Sequence, residues 1–267
     1  MFKIGLCQMM GSKDKEESRA KARAMVSEAA KNGAQVVALP EMWNCPYANE
    51  YFRPYAEPED GPSVEFLSNL ARELDIYLIG GSISELSDNK VSNTSYSFDR
   101  SGNLIGKHRK VHLFDIAVKN GIRFMESETL SPGDKSTVID TEYCKIGVAI
   151  CYDVRFPELS RKMALEGAKL IVLPAAFNMT TGPAHWDLTM RARALDNQVY
   201  FAAVSPARDM KGVYRAYGSS CIATPWGEFL AKADEKETIV YGDIDLDYED
   251  SIRQQLPLLK HRREEVY

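Results

Sequence analysis

Apolar residues recur along this chain in two rhythms. Continuous apolar runs, Gln35-Val36-Val37-Ala38-Leu39, Ile146-Gly147-Val148-Ala149-Ile150 and Lys169-Leu170-Ile171-Val172-Leu173-Pro174, predict strands buried on both faces. Residues 2–9, 76–80, 199–204 and 239–244 read as further strands. Helical spacing fills the intervals. Residues 13–32 carry Ala20, Ala24, Met25, Ala29 and Ala30 on one face and stop at Gly33. Residues 63–74 and 186–196 read as helices. Residues 158–166 carry Leu159, Met163 and Ala164, begin behind Pro157 and stop at Gly167. Residues 91–98 alternate and pass through Asp99-Arg100-Ser101-Gly102-Asn103 into 104–107, a hairpin; residues 137–141 and 145–150 form another. Residues 218–223 and 228–231 flank the turn Pro225-Trp226-Gly227. Residues 43–62 and 110–136 read as loops, and a charged tail follows residue 244.

The strand–helix–strand start predicts a parallel pair with a right-handed crossover. Mixed with hairpins, it fits one α/β domain of two stacked sheets with helices outside. The 267 residues suffice for a large core. A net charge of −5 gives a nucleic-acid role no support. The five cysteines are odd in number and make no CxxC pair, against a disulfide framework or a cysteine-rich zinc site. Free thiols suit a reducing compartment, so a cytoplasmic location is expected. No apolar stretch approaches the ~20 residues of a membrane span, and no secretory signal core opens the chain.

Candidate chemistry lies just past three buried runs or hairpins. Glu41 follows the second strand, Lys110 ends the first hairpin and Cys151 ends the run 146–150. Strand ends are where open α/β sheets place their chemistry. A helix N-terminus or a cation near Cys151 lowers a thiol pKa and makes a nucleophile. Each residue also has an inert reading: a small buried side chain for the cysteine, a solvated carboxylate, a wet lysine in a basic run.

The blocks Leu39-Pro40-Glu41, Lys107-His108-Arg109-Lys110-Val111-His112-Leu113 and Ile150-Cys151-Tyr152-Asp153-Val154-Arg155-Phe156-Pro157-Glu158 together resemble the nitrilase superfamily of carbon–nitrogen hydrolases, in order and over nearly the whole chain. The resemblance implies a four-layer αββα sandwich in a single domain spanning 1–267, homodimers or larger homo-oligomers, and no metal or cofactor. It maps a catalytic triad onto Glu41, Lys110 and Cys151, with Glu126 as the additional glutamate. Residues 124–133, 151–159 and 174–183 look most like the omega-amidase branch. That implies hydrolysis of small 2-oxo dicarboxylic acid monoamides, 2-oxoglutaramate and 2-oxosuccinamate.

Amide hydrolysis by these groups needs Cys151 as nucleophile, Glu41 cycling between base and acid, and Lys110 with the backbone N–H of Tyr152 at the oxyanion. Arg155 is the expected holder of the distal carboxylate, with a salt bridge to Asp153 or Glu158 as its alternative. Phe177 and Tyr47 are expected pocket walls, or else core packing. Other substrates of the same chemistry are a nitrile, an N-carbamoyl amide or deaminated glutathione. A binding protein that kept the fold is the reading from another class.

Overall fold

The protein is described by a computed structural model over residues 1–119 and 123–266. β1 (Phe2–Gln8), β2 (Val36–Ala38) and β3 (Tyr77–Ile79) run parallel, joined by α1 (Lys15–Lys31) and then by α2 (Asn49–Tyr55) with α3 (Pro62–Leu74). β4 (Ile83–Ser87), β5 (Lys90–Phe98) and β6 (Leu104–Arg109) add antiparallel strands. A small ribbon of β7 (Asp115–Ala117) and β8 (Arg123–Met125) leads to the second sheet. That sheet holds β9 (Thr137–Asp140), β10 (Lys145–Val148), β11 (Ala168–Pro174), β12 (Tyr200–Val204), β13 (Cys221–Ala223) and β14 (Phe229–Lys232), side by side in sequence order. α4 (Pro157–Leu165) links β10 to β11, and α5 (Gly182–Asn197) links β11 to β12. The chain then returns to the first sheet, where β15 (Thr238–Ile244) lies antiparallel to β1, and α6 (Leu246–Gln255) follows.

Strand alternation sorts the side chains into three cores, hence four layers. On β11, Leu170 and Val172 enter the core between the sheets, where they join Ile4, Leu6, Val36, Ile146, Tyr200 and Ile222. Their neighbours Ile171 and Leu173 face α4 and α5, against Met163, Trp186 and Met190. Across the molecule, Val37 and Leu78 face α1 and α3 through Val26 and Leu67. Continuous apolar runs are therefore the signature of strands sandwiched twice, each fully buried Leu or Ile contributing about 1.5–3 kcal/mol. The expected αββα architecture holds.

Several local readings do not hold. α1 buries Ser18, Ala22, Val26 and Ala29, while Ala20 and Ala24 face solvent. Ser18 is admitted because its hydroxyl accepts the Ser12 N–H at 2.9 Å. Alanine is too weakly apolar to fix a face. Residues 43–62 are not all loop: α2 forms there and buries Phe52. Residues 110–136 contain β7, β8 and a 3₁₀ turn, Glu126–Glu128; 120–122 lie outside the described residues. β4 went unread because it buries Ser84 and Glu85 beside Ile83. α5 begins four residues before 186, with Pro183 in its first turn. The charged tail begins with α6, whose Asp245 cap accepts from the N–H groups of Asp247 and Tyr248. Among the described residues no helix is long and apolar enough to cross a membrane.

Candidate active site

Glu41 leaves β2 through Leu39 and Pro40, which press against Gly81. A Cβ at Gly81 would stand 2.2 Å from the Pro40 carbonyl oxygen, and its φ of +63° is open to glycine. Lys110 follows β6, its N–H donating to the Asn93 carbonyl of β5 at 2.8 Å. Glu126 opens the 3₁₀ turn after β8. Cys151 opens a second 3₁₀ turn, Cys151–Arg155, three residues beyond the end of β10. Its φ of +45° is unusual for a side chain with a Cβ, so the surrounding contacts must hold it there.

These four side chains are buried together. Lys110 Nζ donates to Glu41 Oε1 at 3.0 Å, to Glu126 Oε1 at 2.9 Å and to the Tyr47 hydroxyl at 3.4 Å. Tyr47 donates to Glu126 Oε1 at 2.6 Å. Glu126 Oε2 accepts the Phe114 N–H at 2.7 Å. Glu41 also accepts from Asn93 Nδ2 at 2.8 Å on Oε1 and from the Ala176 N–H at 2.8 Å on Oε2. Two carboxylates thus share one ammonium. Burial pushes the Glu41 carboxyl above its usual range; Lys110 pulls it back, and Glu126 pushes it up again. Burial opposes the Lys110 charge, but Glu126 and Glu41 outweigh it and hold the ammonium above its usual value.

The expectation for the thiol is overturned. Burial first, and then the Glu41 charge, raise Cys151 well above an ordinary thiol, with Lys110 only partly offsetting them. The resting group is a neutral thiol facing a carboxylate.

The 3₁₀ turn itself is tied by Asp153, which sequence reasoning named only as a possible partner of Arg155. Its buried carboxylate accepts from His108 Nε2 at 3.0 Å, His112 N–H at 2.9 Å, His112 Nδ1 at 2.8 Å and Ile150 N–H at 3.0 Å. Burial opposes its charge, yet the two histidines hold it far below the usual carboxylate range. The N–H groups of Cys151 and Tyr152 head this turn and have no partner within it, which suits an oxyanion. Asn93 and Tyr214 were also missed. Tyr214 donates to the Ala176 carbonyl and lies 4.7 Å from the Tyr47 ring, so Ala176 is held at both its N–H and its carbonyl.

Arg155 pairs with neither Asp153 nor Glu158. Its guanidinium lies 4.9 Å from the Phe177 ring centre and 5.6 Å from that of Tyr152, with NH1 3.2 Å from His185 Nδ1. It makes no ion pair with the described residues. Phe177 is buried edge-on against Trp186 and serves as the platform for that guanidinium. A cavity of about 440 Å³ opens beside the cluster; Glu41, Tyr47, Ala176 and Tyr214 are in its wall, but Cys151, Lys110 and Phe177 are not. Of the two expected pocket walls, Tyr47 lines this cavity and Phe177 does not.

A buried carboxylate, ammonium and thiol at the strand ends of an αββα sandwich define a hydrolase of the nitrilase type. The profile of the carbon–nitrogen hydrolases matches residues 3–254, and the chain belongs to that family. It is an enzyme that hydrolyses amides. It is similar to omega-amidase NIT2 of Xenopus tropicalis, 54% identical over all of this chain and 96% of the relative. Omega-amidase NIT2 of Bos taurus is 52% identical with the same coverage. Among solved structures, Nit3 of Saccharomyces cerevisiae, a member of branch 10 of the nitrilase superfamily, superposes with a TM-score of 0.91 at 46% identity, over 98% of this chain and 96% of that one.

Proposed function

We propose that this enzyme cleaves the terminal amide of small 2-oxo dicarboxylic acid monoamides, 2-oxoglutaramate and 2-oxosuccinamate, to the acid and ammonia. The observation that carries this reading is Arg155: a guanidinium four residues past the thiol, unpaired with any described carboxylate and seated over Phe177. A substrate carboxylate supplies the partner it lacks, through two parallel hydrogen bonds. The omega-amidase relatives support the same reading.

The geometry suggests the steps. Cys151 sulfur attacks the amide carbon while its proton passes to Glu41. The oxyanion takes the Tyr152 N–H and the third Lys110 proton, the one spent on Tyr47 at only 3.4 Å. Glu41 returns the proton to nitrogen, the C–N bond breaks, and ammonia leaves a thioester on Cys151. Water attacks that thioester with Glu41 as base, and the acid leaves the regenerated thiol. Glu126 keeps Lys110 charged and aimed.

The acting form is a homodimer in the cytoplasm. Five free cysteines suit a reducing compartment. On α5 the Leu188 side chain is 70% exposed, and nearby Trp226 is 50% exposed, apolar surface that a second copy would cover. The test is ammonia release from 2-oxoglutaramate, 2-oxosuccinamate, glutamine, a simple nitrile and an N-carbamoyl amine, by the native chain and by Cys151→Ala. Turnover of the two 2-oxo amides, lost in the variant, is expected. Turnover of another panel member alone overturns the substrate and keeps the chemistry.

A further inference from the structure

Cys151 and Lys110 come from different sheets. β10 of the second sheet delivers the thiol, and β6 of the first delivers the ammonium. Their separation is set by whatever joins the two strand ends. One carboxylate does so. Asp153 Oδ1 takes the backbone N–H and Nδ1 of His112, and Oδ2 takes His108 Nε2 and the backbone N–H of Ile150. His108 and His112 stand two residues before and two after Lys110. Ile150 stands one before Cys151. The His112 ring also stacks on Phe156 at 3.7 Å, so the turn is gripped at its far end by the same residue.

We propose that Asp153 is a positioning residue: it sets the Lys110-bearing segment against the Cys151-bearing turn and holds the left-handed backbone at Cys151. An aspartate that only capped the turn would need the Ile150 bond and no more. Here three of four bonds reach across to the segment that bears Lys110. The proposal rests on the catalytic reading of Cys151 and Lys110 given above. Misplacing reacting groups by about 1 Å costs on the order of 10²-fold in rate.

Asp153→Asn tests it with little change of shape. Each carboxylate oxygen accepts one backbone N–H, so either orientation of the amide sets its NH₂ against a backbone donor. The expected result is a kcat lower by about 10²-fold with KM within about threefold of native. Should that variant not fold, His112 serves, since its side chain is 28% exposed. His112→Phe keeps the stack on Phe156 and the backbone bond to Asp153 but loses the side-chain bond. His112→Asn loses the stack and offers an NH₂ near the Nδ1 position. Positioning predicts that Asn retains kcat to within about threefold and Phe loses about tenfold; mere packing predicts the reverse order. Native kcat in Asp153→Asn, a change confined to KM, or the reverse order at His112 each overturn the proposal. Cys151→Ala run alongside separates the failures: activity there removes the catalytic reading and this proposal with it, whereas loss there beside a fully active Asp153→Asn removes the positioning role alone.

Discussion

Glu41 and Glu85 are both buried carboxylates of the first sheet, and both meet cations from the end of β6. The alternation of that strand divides them. Lys107 and Arg109 point to Glu85, at 2.6 and 2.7 Å, while His108 and Lys110 point to the site side. Glu85 meets two cations, a bidentate Arg109 and Lys107, of which only Lys107 is shared, with Glu59, and it accepts the Thr94 hydroxyl at 2.7 Å. Burial works against its charge, yet those bonds bring it down to about 2. Glu41 shares one ammonium with a second carboxylate and is pushed up instead. The ratio of cations to carboxylates separates a structural anion from a base ready to take a proton.

Lys110→Met attacks the ratio directly and has the largest expected effect. It leaves two buried carboxylates without a cation, so turnover should fall by at least about 10³-fold and stability by about 3–5 kcal/mol. Steady-state kinetics and urea unfolding read both. Glu41→Gln removes the base and leaves Lys110 to Glu126. We expect a loss of about 10²–10⁴-fold in kcat with thermal stability retained; a loss confined to KM would contradict the base role. In the proposed mechanism Glu41 works only when ionised, and its carboxyl is raised, so the acid limb of the kcat–pH profile should lie above the ordinary glutamate value of about 4.3.

Glu85→Gln is the mirror experiment. Activity should stay within about threefold of native, and the melting temperature should drop. A lowered pKa contributes stability above the unfolded value, so the deficit is full above pH 4.5 and closes as pH falls toward 2. Glu249 on α6 probes the remaining case, a carboxylate raised to about 8 mainly by burial, with Arg253 only partly offsetting it. A raised carboxyl favours folding below 4.5 and costs stability as pH climbs through 8. Glu249→Gln should therefore leave melting unchanged at pH 4 and raise it by about 2–4 °C at pH 9. Differential scanning calorimetry at the two values reads it, and activity should not change. A raised carboxyl alone would then be no mark of a reactive site.

Much of this was legible in the sequence, for a physical reason. Strands sandwiched twice are apolar on both faces, so 36–38, 146–148 and 170–173 announced themselves, and with them the polar residues just past their ends: Glu41 and Cys151. The hairpin turn at 99–103 did the same for Lys110. What stayed hidden depends on partners distant in sequence. Nothing near Asp153 says that two histidines forty residues earlier will meet it. Glu85 sits on a strand whose burial of Ser84 and Glu85 contradicts the apolar signal. Tyr214 reaches Ala176 from a stretch with no periodicity. The thiol pKa was misread because strand-end position suggests a helix dipole, while burial beside Glu41 decides the outcome.

The pairing of β1 with β15 joins residue 2 to residue 244. In a chain made at about 5–20 residues per second, β1 waits roughly 12–50 s for its neighbour. Until then the strand next to Glu41's own keeps a bare edge, and Ile4 and Leu6 lack part of their cover. The topology thus builds in a timetable. β1 is secured only after more than two hundred later residues have been made, and a polypeptide cut short before β15 should be a client for chaperones rather than an enzyme.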